Sequence, residues 1–426
     1  MTQVRTGSKQ LLRDLNQNLV FNAIADAGAI SRTEIAHETG LPAATVTRIT
    51  REFVAAKLVT EEISATSDAS GGRRPILLRI NPTMGYVVGV KLREDSMTLA
   101  VCDLGCSVTR SLEAPIPAGA APHVVCEVIA DAVATALREA QIPMQRLLGV
   151  GIGMAGLIDS ANGICRYSAI MGWRDAELQA PLEYKLRVPV RLDNDVNTLA
   201  VAERLFGPGR SANEFIVVTV GRGIGLGVVI GGEIYRGVNG GAGEFGHTTI
   251  DISSDAPLCN CGKRGCLEAI ASDYGILRAA LQHDPGAHVE AEMRALLQRA
   301  DEPEVRRIFA RAGEVLGIAI ANLVNIFDPQ LVVVTGEGMN AGDMLLEPMR
   351  AAIPVHTFGQ PFDQATLQVT PTDDIAWARG AASLILQEVF HPPIHNSDES
   401  RMMASLLALS HGEASAARRA PAKARR

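Results

Sequence analysis

Apolar positions follow a helical period over the first part of the chain and a shorter, strand-like pattern after it. The first helix is predicted from apolar residues three or four apart: Leu12, Leu15, Leu19, Ala23 and Ile24. It ends at Gly28, which suits a helix C-cap. A second helix begins at the capping box Ser31-Arg32-Thr33-Glu34 and ends at Gly40. Pro42 then opens a third helix, at whose first position its missing N–H costs nothing.

The third helix is predicted to bury one face and to expose the other. Its buried positions are Val46, Ile49, Phe53 and Val54. Its outward positions carry small, hydroxyl or guanidinium side chains: Ala44, Thr45, Thr47, Arg48 and Arg51. Two strands follow, at 58–63 and 76–80, joined by a polar loop that ends Gly71-Gly72-Arg73-Arg74-Pro75. Three helices and a two-stranded wing in this order predict a winged helix-turn-helix.

The outward face of the third helix and the wing both suit double-stranded DNA. Short polar side chains and guanidinium groups can enter a major groove, and arginines at a wing tip can reach phosphates or a narrow minor groove. The candidate DNA contacts are Ser31, Arg32, Ala44, Thr45, Thr47, Arg48, Arg51, Arg73 and Arg74. The alternative for this segment is a helical hairpin used only for packing.

Strands and helices alternate in the rest of the chain, which predicts an α/β body. Strands are predicted at 86–92, 97–102, 147–154, 188–192, 215–220, 225–230 and 331–335. Helices are predicted near 122–140, 267–281, 303–327 and 374–389, and from Asp195 to Phe206. Beyond His391 the chain is alanine-rich and basic, and we expect it to be disordered. Such a tail either is merely solvated or adds non-specific DNA affinity.

Length and charge limit the class of protein. The 426 residues suggest about three domains. We expect a cytoplasmic protein without a membrane partner, because no apolar run approaches the ~20 residues of a membrane helix. The net charge of −7 is uneven: residues 1–80 carry ten Lys/Arg against eight Asp/Glu, and residues 401–426 carry six against one. The acidic middle would repel DNA, so the N-terminal segment is the part suited to approach it.

Three cysteines and a histidine form the strongest candidate metal site. The ligands would be His247, Cys259, Cys261 and Cys266, and Gly262 and Gly265 permit the tight turns that bring them together. Four protein ligands of this kind predict one closed, structural Zn2+ site per chain. A redox pair or buried free thiols is the alternative. The other cysteines, at 102, 106, 126 and 165, are expected to be ordinary buried thiols.

The same ion would fix several polar side chains in place. Glu244, His247 and Glu268 lie beside or among the ligands in sequence, and carboxylates with an imidazole suit hydrogen bonding to hydroxyl groups. Asn194 and Asp195 stand at a strand end before a helix, where α/β sheets bind ligands. One of these two residues is also expected to be the helix N-cap.

The glycine run 221–227, the motif Gly241-Ala242-Gly243-Glu244-Phe245-Gly246-His247 and the cysteine run resemble the ROK family of repressors and sugar kinases. The resemblance implies a two-lobed, actin-like (ribonuclease-H-like) body with a structural zinc site. It implies a winged helix-turn-helix at 1–82, lobe 1 at 83–195, lobe 2 at 196–390 and a tail at 391–426, with the last helix packed back on the body. It also implies a sugar ligand held by Asn194, Asp195, Glu244, His247 and Glu268.

The chain departs from the kinase members of that family at the nucleotide loop. Lys91-Leu92-Arg93-Glu94-Asp95-Ser96 stands where the kinases carry a glycine-rich phosphate loop, and Arg222 replaces a usual threonine. Without glycine the backbone cannot approach a phosphate closely, and the carboxylates repel it. We therefore expect no ATP binding and no catalytic residue. The resemblance implies that the residue matching Asp195 is the general base in the family's kinases, whereas here Asp195 is expected to be a hydroxyl acceptor.

These observations favour a sugar-responsive transcriptional regulator, a repressor that binds a palindromic operator as a homodimer or dimer of dimers. The alternative is an ATP-dependent sugar kinase, which Asp195 and the run 221–227 favour and the segment Lys91 to Ser96 opposes. A zinc sensor is disfavoured, because a closed four-ligand site holds its ion too tightly to report on it.

Overall fold

The computed structural model describes residues 9–63, 74–283, 285, 289–359, 363, 366–370, 372–390 and 406–407. Arg73 and most of the predicted C-terminal tail lie outside the described residues. Of that tail, Leu406 is buried and its side chain lies beside Gly85.

The N-terminal segment forms three helices and a three-stranded antiparallel sheet. The helices are α1 (Lys9–Ala27), α2 (Arg32–Thr39) and α3 (Ala43–Ala55). The strands are β1 (Ile30–Ser31), β2 (Val59–Ile63) and β3 (Ile76–Ile80), in the order β1-β3-β2. Ser31 and Glu34 complete the predicted capping box, and Gly40 ends α2 in a left-handed conformation. Pro42 precedes α3 as its N-cap rather than beginning it.

The buried face of α1 differs in part from the predicted one. Ala23 and Ile24 are buried as predicted, but Leu12 and Leu19 are 57% and 47% exposed, and Val20 and Phe21 are buried instead. The helix is rotated in this way because Phe21 packs on Phe53 of α3 and on Phe390 of the body. The predicted face of α3 is correct at Val46, Ile49 and Phe53.

The first half of the body is built on a mixed five-stranded sheet. Its strands are β4 (Tyr86–Leu92), β5 (Ser96–Asp103), β6 (Val108–Pro115), β7 (Leu147–Met154) and β11 (Val190–Asn194), in the order β11-β7-β4-β5-β6. A small sheet is added by β8 (Leu157–Asp159), β9 (Ile164–Ser168) and β10 (Trp173–Glu177). The helices are α4 (Pro122–Glu139), α5 (Gln179–Leu186) and α6 (Asp195–Phe206).

The second half repeats the same sheet topology. Its strands are β12 (Phe215–Val220), β13 (Ile224–Ile230), β14 (Glu233–Ile234), β15 (Leu331–Thr335) and β16 (Leu367–Thr370), in the order β14-β13-β12-β15-β16. In both sheets three antiparallel strands are followed by two parallel ones. The helices are α7 (Glu268–Ala271), α8 (Asp273–Leu281), α9 (Val289–Leu297), α10 (Pro303–Phe327), α11 (Asp343–His356) and α12 (Asp374–Phe390).

Helices α10 and α11 pack unusually closely. A Cβ on Gly313 or Gly317 of α10 would lie 2.3 Å from the backbone oxygen of Leu345 or 2.4 Å from that of Met349. Among the described residues α10 is the one helix long and apolar enough to cross a membrane, yet 56% of its apolar window is buried inside the protein. Its apolar character is therefore explained by its place in the core of the protein.

The last helix, α12, packs across the sheet of the first half and reaches the N-terminal segment. A Cβ on Gly89 of β4 or on Gly151 of β7 would lie 1.8 Å from a backbone oxygen of α12, so glycine is required at both contacts. At its far end Phe390 stacks on Phe21 with ring centroids 5.6 Å apart. The N-terminal segment and the body consequently share one hydrophobic core.

Candidate functional site

The four predicted metal ligands converge in one loop of the second half. Cys259 Sγ lies 3.6 Å from His247 Nδ1, and Cys261 Sγ lies 3.7 Å from Cys266 Sγ. All four ligand atoms lie within 4.8 Å of one another. Atoms bound tetrahedrally to zinc at about 2.0–2.3 Å would be separated by roughly 3.3–3.8 Å, so the cluster fits a metal ion of this size.

The loop reaches this shape through its glycines and two short β-bridges. Gly262 and Gly265 have φ of 88° and 71°, in the region that favours glycine. A Cβ on Gly265 would lie 1.8 Å from the Asp251 backbone oxygen. The bridges pair Thr249 with Cys266 and Leu258 with Arg264. Burial raises the pKa of Cys259 to about 12, so a thiolate at this position needs a cation beside it.

Three of the predicted ligand-binding side chains gather beside the metal cluster. His247 Nε2 lies 4.0 Å from Glu244 Oε2, and His247 Nδ1 lies 3.9 Å from Glu268 Oε1. The Ile224 backbone N–H donates to Glu268 Oε2 at 3.2 Å, which fixes that carboxylate. Burial raises the pKa of Glu244, an effect that His247 opposes and that Glu268 and Asp195 increase. The group therefore combines several hydrogen-bond acceptors with one imidazole.

Asn194 and Asp195 lie at the junction of β11 and α6. Asn194 is the N-cap of α6: its side-chain oxygen accepts from Val196 N at 2.9 Å, and its amide donates to Gly156 O at 3.2 Å. Asp195 is buried and forms an ion pair with the ammonium of Lys91. That ammonium also lies 4.3 Å from the ring centroid of Trp377.

Lys91 was not singled out as a site residue from the sequence. The sequence pattern places it with the loop that follows, whereas in the structure it lies inside β4, where its side chain is 11% exposed. A signal was present, because a lone lysine interrupts the apolar strand Tyr86 to Leu92. A buried lysine of this kind needs an anionic partner.

The turn between β4 and β5 is connected to the second half by ion pairs. Arg93 is paired with Asp374 and, at 3.0 Å, with Glu290. Arg222, in the glycine run, is paired with Glu94 at 2.6 Å. Arg93 and Glu94 belong to the segment that, by the predicted family resemblance, stands where the kinases carry a phosphate loop. The arginine of the glycine run is thus engaged by a carboxylate of the chain itself.

The predicted DNA contacts are distributed over the surface of the N-terminal segment. Ala44, Arg48 and Arg51 are exposed on α3, Arg74 is exposed just before β3, and Thr45 and Thr47 are half-buried. Arg32 donates to Thr50 Oγ1 at 2.9 Å and to Glu61 at 2.5 Å. The hydroxyl of Ser31 accepts from Glu34 N at 3.3 Å, so it is used in the capping box.

The chain combines two sheets of the same topology with a polar cluster beside the cysteine loop. Comparison with known families identifies the class of protein that has this arrangement. Residues 87–388 match the ROK family, and the chain belongs to that family. The predicted resemblance is thereby confirmed.

Individual relatives differ in how much of the chain they match. The xylose repressor of Caldicellulosiruptor bescii is 29% identical over 91% of this chain and 99% of its own length. The glucokinase of Halalkalibacterium halodurans is 31% identical over 71% of this chain and 96% of its own length. A solved ROK family transcriptional regulator, a homologue of the Escherichia coli MLC protein, superposes with a TM-score of 0.75 over 93% of this chain and 99% of its own. At 24% identity this structure supports the fold alone.

Proposed function

We propose that the protein is a sugar-responsive transcriptional repressor of carbohydrate-utilisation genes that acts in the cytoplasm. The observation that carries the proposal is the extent of the matches: the xylose repressor covers 91% of the chain, whereas the glucokinase covers 71%. The ROK match begins at residue 87, so the first 80 or so residues need a separate role. Three helices and an antiparallel sheet with exposed arginines on α3 support a winged helix-turn-helix for that role.

The sugar would bind at the polar cluster. Asn194, Asp195, Glu244, His247 and Glu268 would bind its hydroxyl groups, because they supply amide, imidazole and carboxylate groups that can donate and accept hydrogen bonds. One Zn2+ per chain would be bound by His247, Cys259, Cys261 and Cys266. When bound, the ion would neutralise the thiolates and keep the loop rigid, so that His247 and Glu268 keep their positions.

The kinase alternative has support in the glucokinase relatives, but the ion pairs of Asp195 and of Glu94 oppose it. A general base must be able to take a proton, whereas the carboxylate of Asp195 is engaged by the ammonium of Lys91. Catalysis of phosphoryl transfer also needs a cradle for the nucleotide phosphates, and Glu94 stands at that place, paired with Arg222. We therefore propose that the chain has no catalytic residue and is not an enzyme.

The sugar response would depend on α12. Near one end of this helix Trp377 donates to Glu337, which follows β15, at 2.9 Å, and the other end carries Phe390 against α1. A ligand that favours one placement of the two lobes would change the position of the DNA-binding segment through this helix. In a homodimer or dimer of dimers on a palindromic operator, such a change alters the spacing of the two reading helices. The domains would be 1–82, 83–195 and 196–390, with a tail at 391–426.

Two assays test this proposal. Purified full-length chain is incubated with a randomised duplex pool, the retained sequences are selected, and their affinity is measured with and without each member of a sugar library. We expect one enriched sequence and a change in its affinity with one sugar or a few related sugars. A coupled assay for ADP is run on the same panel, and sugar-dependent turnover of ATP would overturn the assignment in favour of a kinase.

A further inference from the structure

One carboxylate on α3, that of Glu52, accepts hydrogen bonds from Arg48 of the proposed DNA-binding surface and from Arg13 of α1. Arg48 Nη1 donates to Glu52 Oε1 at 2.9 Å, one helical turn along α3, and Arg13 Nη2 of α1 donates to Glu52 Oε2 at 3.2 Å. Both arginine side chains are 50% exposed, whereas that of Glu52 is 32% exposed. The two positive groups therefore lie on the surface while the acid between them is partly enclosed.

Glu52 is itself held in place by a buried side chain of α1. The side-chain amide of Gln17 donates to Glu52 Oε2 at 3.0 Å, and Gln17 is only 5% exposed. A buried amide bound to a carboxylate keeps that carboxylate in one position. Arg48 is thus held by a group that is anchored in the core of the segment, unlike an ordinary surface arginine with a mobile partner.

The hydrogen bond from Arg48 to Glu52, called the tether below, still allows Arg48 to contact DNA bases because of the geometry of its guanidinium group. An arginine has five N–H groups, and the bond to Glu52 uses one nitrogen, so an edge of the guanidinium remains able to donate to two acceptors of one guanine. A base-edge contact can form with the tether kept. A contact to an arbitrary phosphate would require Arg48 to move away from Glu52, or would bring the carboxylate close to the phosphate, and both are unfavourable.

We infer that Glu52 is a specificity-determining residue of the proposed DNA-binding surface: it positions Arg48 for base edges and penalises its use on phosphates. The inference rests on the DNA-binding function proposed above. Its consequence is that loss of the carboxylate improves binding to unrelated duplexes while it worsens the distinction between them and the preferred sequence.

The test compares full-length wild type with Glu52→Gln, on the duplex that wild type enriches from a randomised pool and on a scrambled duplex of the same composition. We expect Glu52→Gln to bind the scrambled duplex several-fold more tightly, with a salt dependence steeper by about one unit. We expect the ratio of the two dissociation constants to fall roughly tenfold. Glutamine still accepts a hydrogen bond from Gln17, so the fold should be kept.

Two further variants separate the tether from general charge effects. Glu62→Gln removes the same charge from the same segment, where Glu62 pairs with Arg79 of β3 at 2.9 Å, and it should leave the ratio unchanged. Glu52→Asp keeps the charge but withdraws the carboxylate from Arg48, so it should lower the ratio without a steeper salt dependence. If circular dichroism shows that Glu52→Gln is unfolded, Glu52→Asp tests the role of Glu52 in specificity instead.

The outcomes are distinct. If wild type enriches a sequence and Glu52→Gln keeps the wild-type ratio, or Glu62→Gln loses it to the same extent, the role of Glu52 is overturned while the DNA-binding function stands. If wild type enriches no sequence, the DNA-binding proposal is overturned, and the inference is overturned with it.

Discussion

Lys91 and Asp195 form a buried ion pair at the ends of two strands of the same sheet. In the register of that sheet Lys91 and Asp193 both stand opposite Gly153 of β7, and Asp195 follows two residues later. Both charged side chains are 11% exposed. Gly153 has no side chain to separate the two strand ends, so the long lysine can reach the carboxylate. The pair explains how a lysine is accommodated in an otherwise apolar strand.

Removal of the ammonium should be costly. Lys91→Met leaves Asp195 buried without its cation, and we expect a loss of about 3–5 kcal/mol in the free energy of unfolding. Urea denaturation followed by circular dichroism measures this loss. The double variant Lys91→Met with Asp195→Asn should recover a large part of it, because no uncompensated charge is then buried.

A matched control is Lys185→Met. Lys185 pairs with Glu127 at 2.5 Å on the surface, where the two side chains are 33% and 60% exposed. An exposed pair of this kind contributes about 0–1 kcal/mol. Equal losses for Lys91→Met and Lys185→Met would show that the buried pair has no special role in stability.

The contact between Phe21 and Phe390 predicts a coupling between the N-terminal segment and the body. Phe390 also lies 6.3 Å from the ring centroid of Phe206, so it is enclosed by aromatic groups on two sides. Phe390→Ala should lower the free energy of unfolding by about 3–5 kcal/mol. It should also weaken the effect of sugar on duplex affinity, because α12 then no longer holds α1. Phe358→Ala, at a side chain that is 92% exposed, is the control and should change neither measurement.

The sequence was sufficient for elements that carry their own start and stop signals. The capping box at Ser31 and the glycine at 40 defined α2, and the apolar runs 215–220 and 331–335 defined strands that are buried along their whole length. The candidate metal cluster of His247, Cys259, Cys261 and Cys266 could be recognised because these residues lie close together in sequence. These signals depend on residues close together in the chain, which is why they can be read without a structure.

The remaining features depend on contacts between distant residues. Helix α11 was not predicted, because Pro348 and Pro354 lie inside it and proline normally interrupts a helix. It forms here because the glycines of α10 allow the close packing described above, which offsets that cost. The pairing of Lys91 with Asp195 spans 104 positions in sequence. Neither residue alone indicates which residue is its partner in the ion pair.

Loss of one cysteine should remove the metal. We expect Cys261→Ala to lose about one zinc per chain, because three ligands bind a structural ion far less tightly than four. Elemental analysis of the purified chain by mass spectrometry measures the zinc content. The sugar response should be lost with it, since His247 would no longer be fixed. Cys165→Ala, at a buried thiol far from the cluster in sequence, should keep the metal; a metal-free Cys261→Ala chain that still responds to sugar would refute the positioning role of zinc.

Two arginines of the N-terminal segment should behave differently. Arg48→Ala should cost about 1–3 kcal/mol of binding free energy on the preferred duplex and much less on a scrambled one, because Arg48 is assigned to base edges. Arg74→Ala should weaken binding to both duplexes equally and lower the salt dependence by about one unit, as expected for a phosphate contact. Fluorescence anisotropy at several salt concentrations measures both quantities. Identical behaviour of the two variants would count against the assignment of α3 to the groove.

Asp273 should make stability depend on pH. Its side chain is 6% exposed, and burial raises its pKa to about 7, with Glu337 and Glu290 adding to the effect. The unfolded chain loses this proton near pH 4, whereas the folded chain keeps it until about pH 7, so the folded state binds more protons within that window. The stabilising effect of the proton is therefore present at low pH and is lost as pH rises towards 7. The loss amounts to about 4 kcal/mol at most, because one pKa unit corresponds to about 1.4 kcal/mol.

Asp273→Asn should abolish this part of the pH dependence. The variant cannot ionise, so its free energy of unfolding should fall less than that of wild type between about pH 4 and pH 7. Urea denaturation at several pH values in this range measures the difference. Asp301→Asn, at a fully exposed side chain, should retain the wild-type slope. If wild type and Asp273→Asn lose stability in parallel as the pH rises, then Asp273 is ionised in the folded protein and the predicted proton is absent.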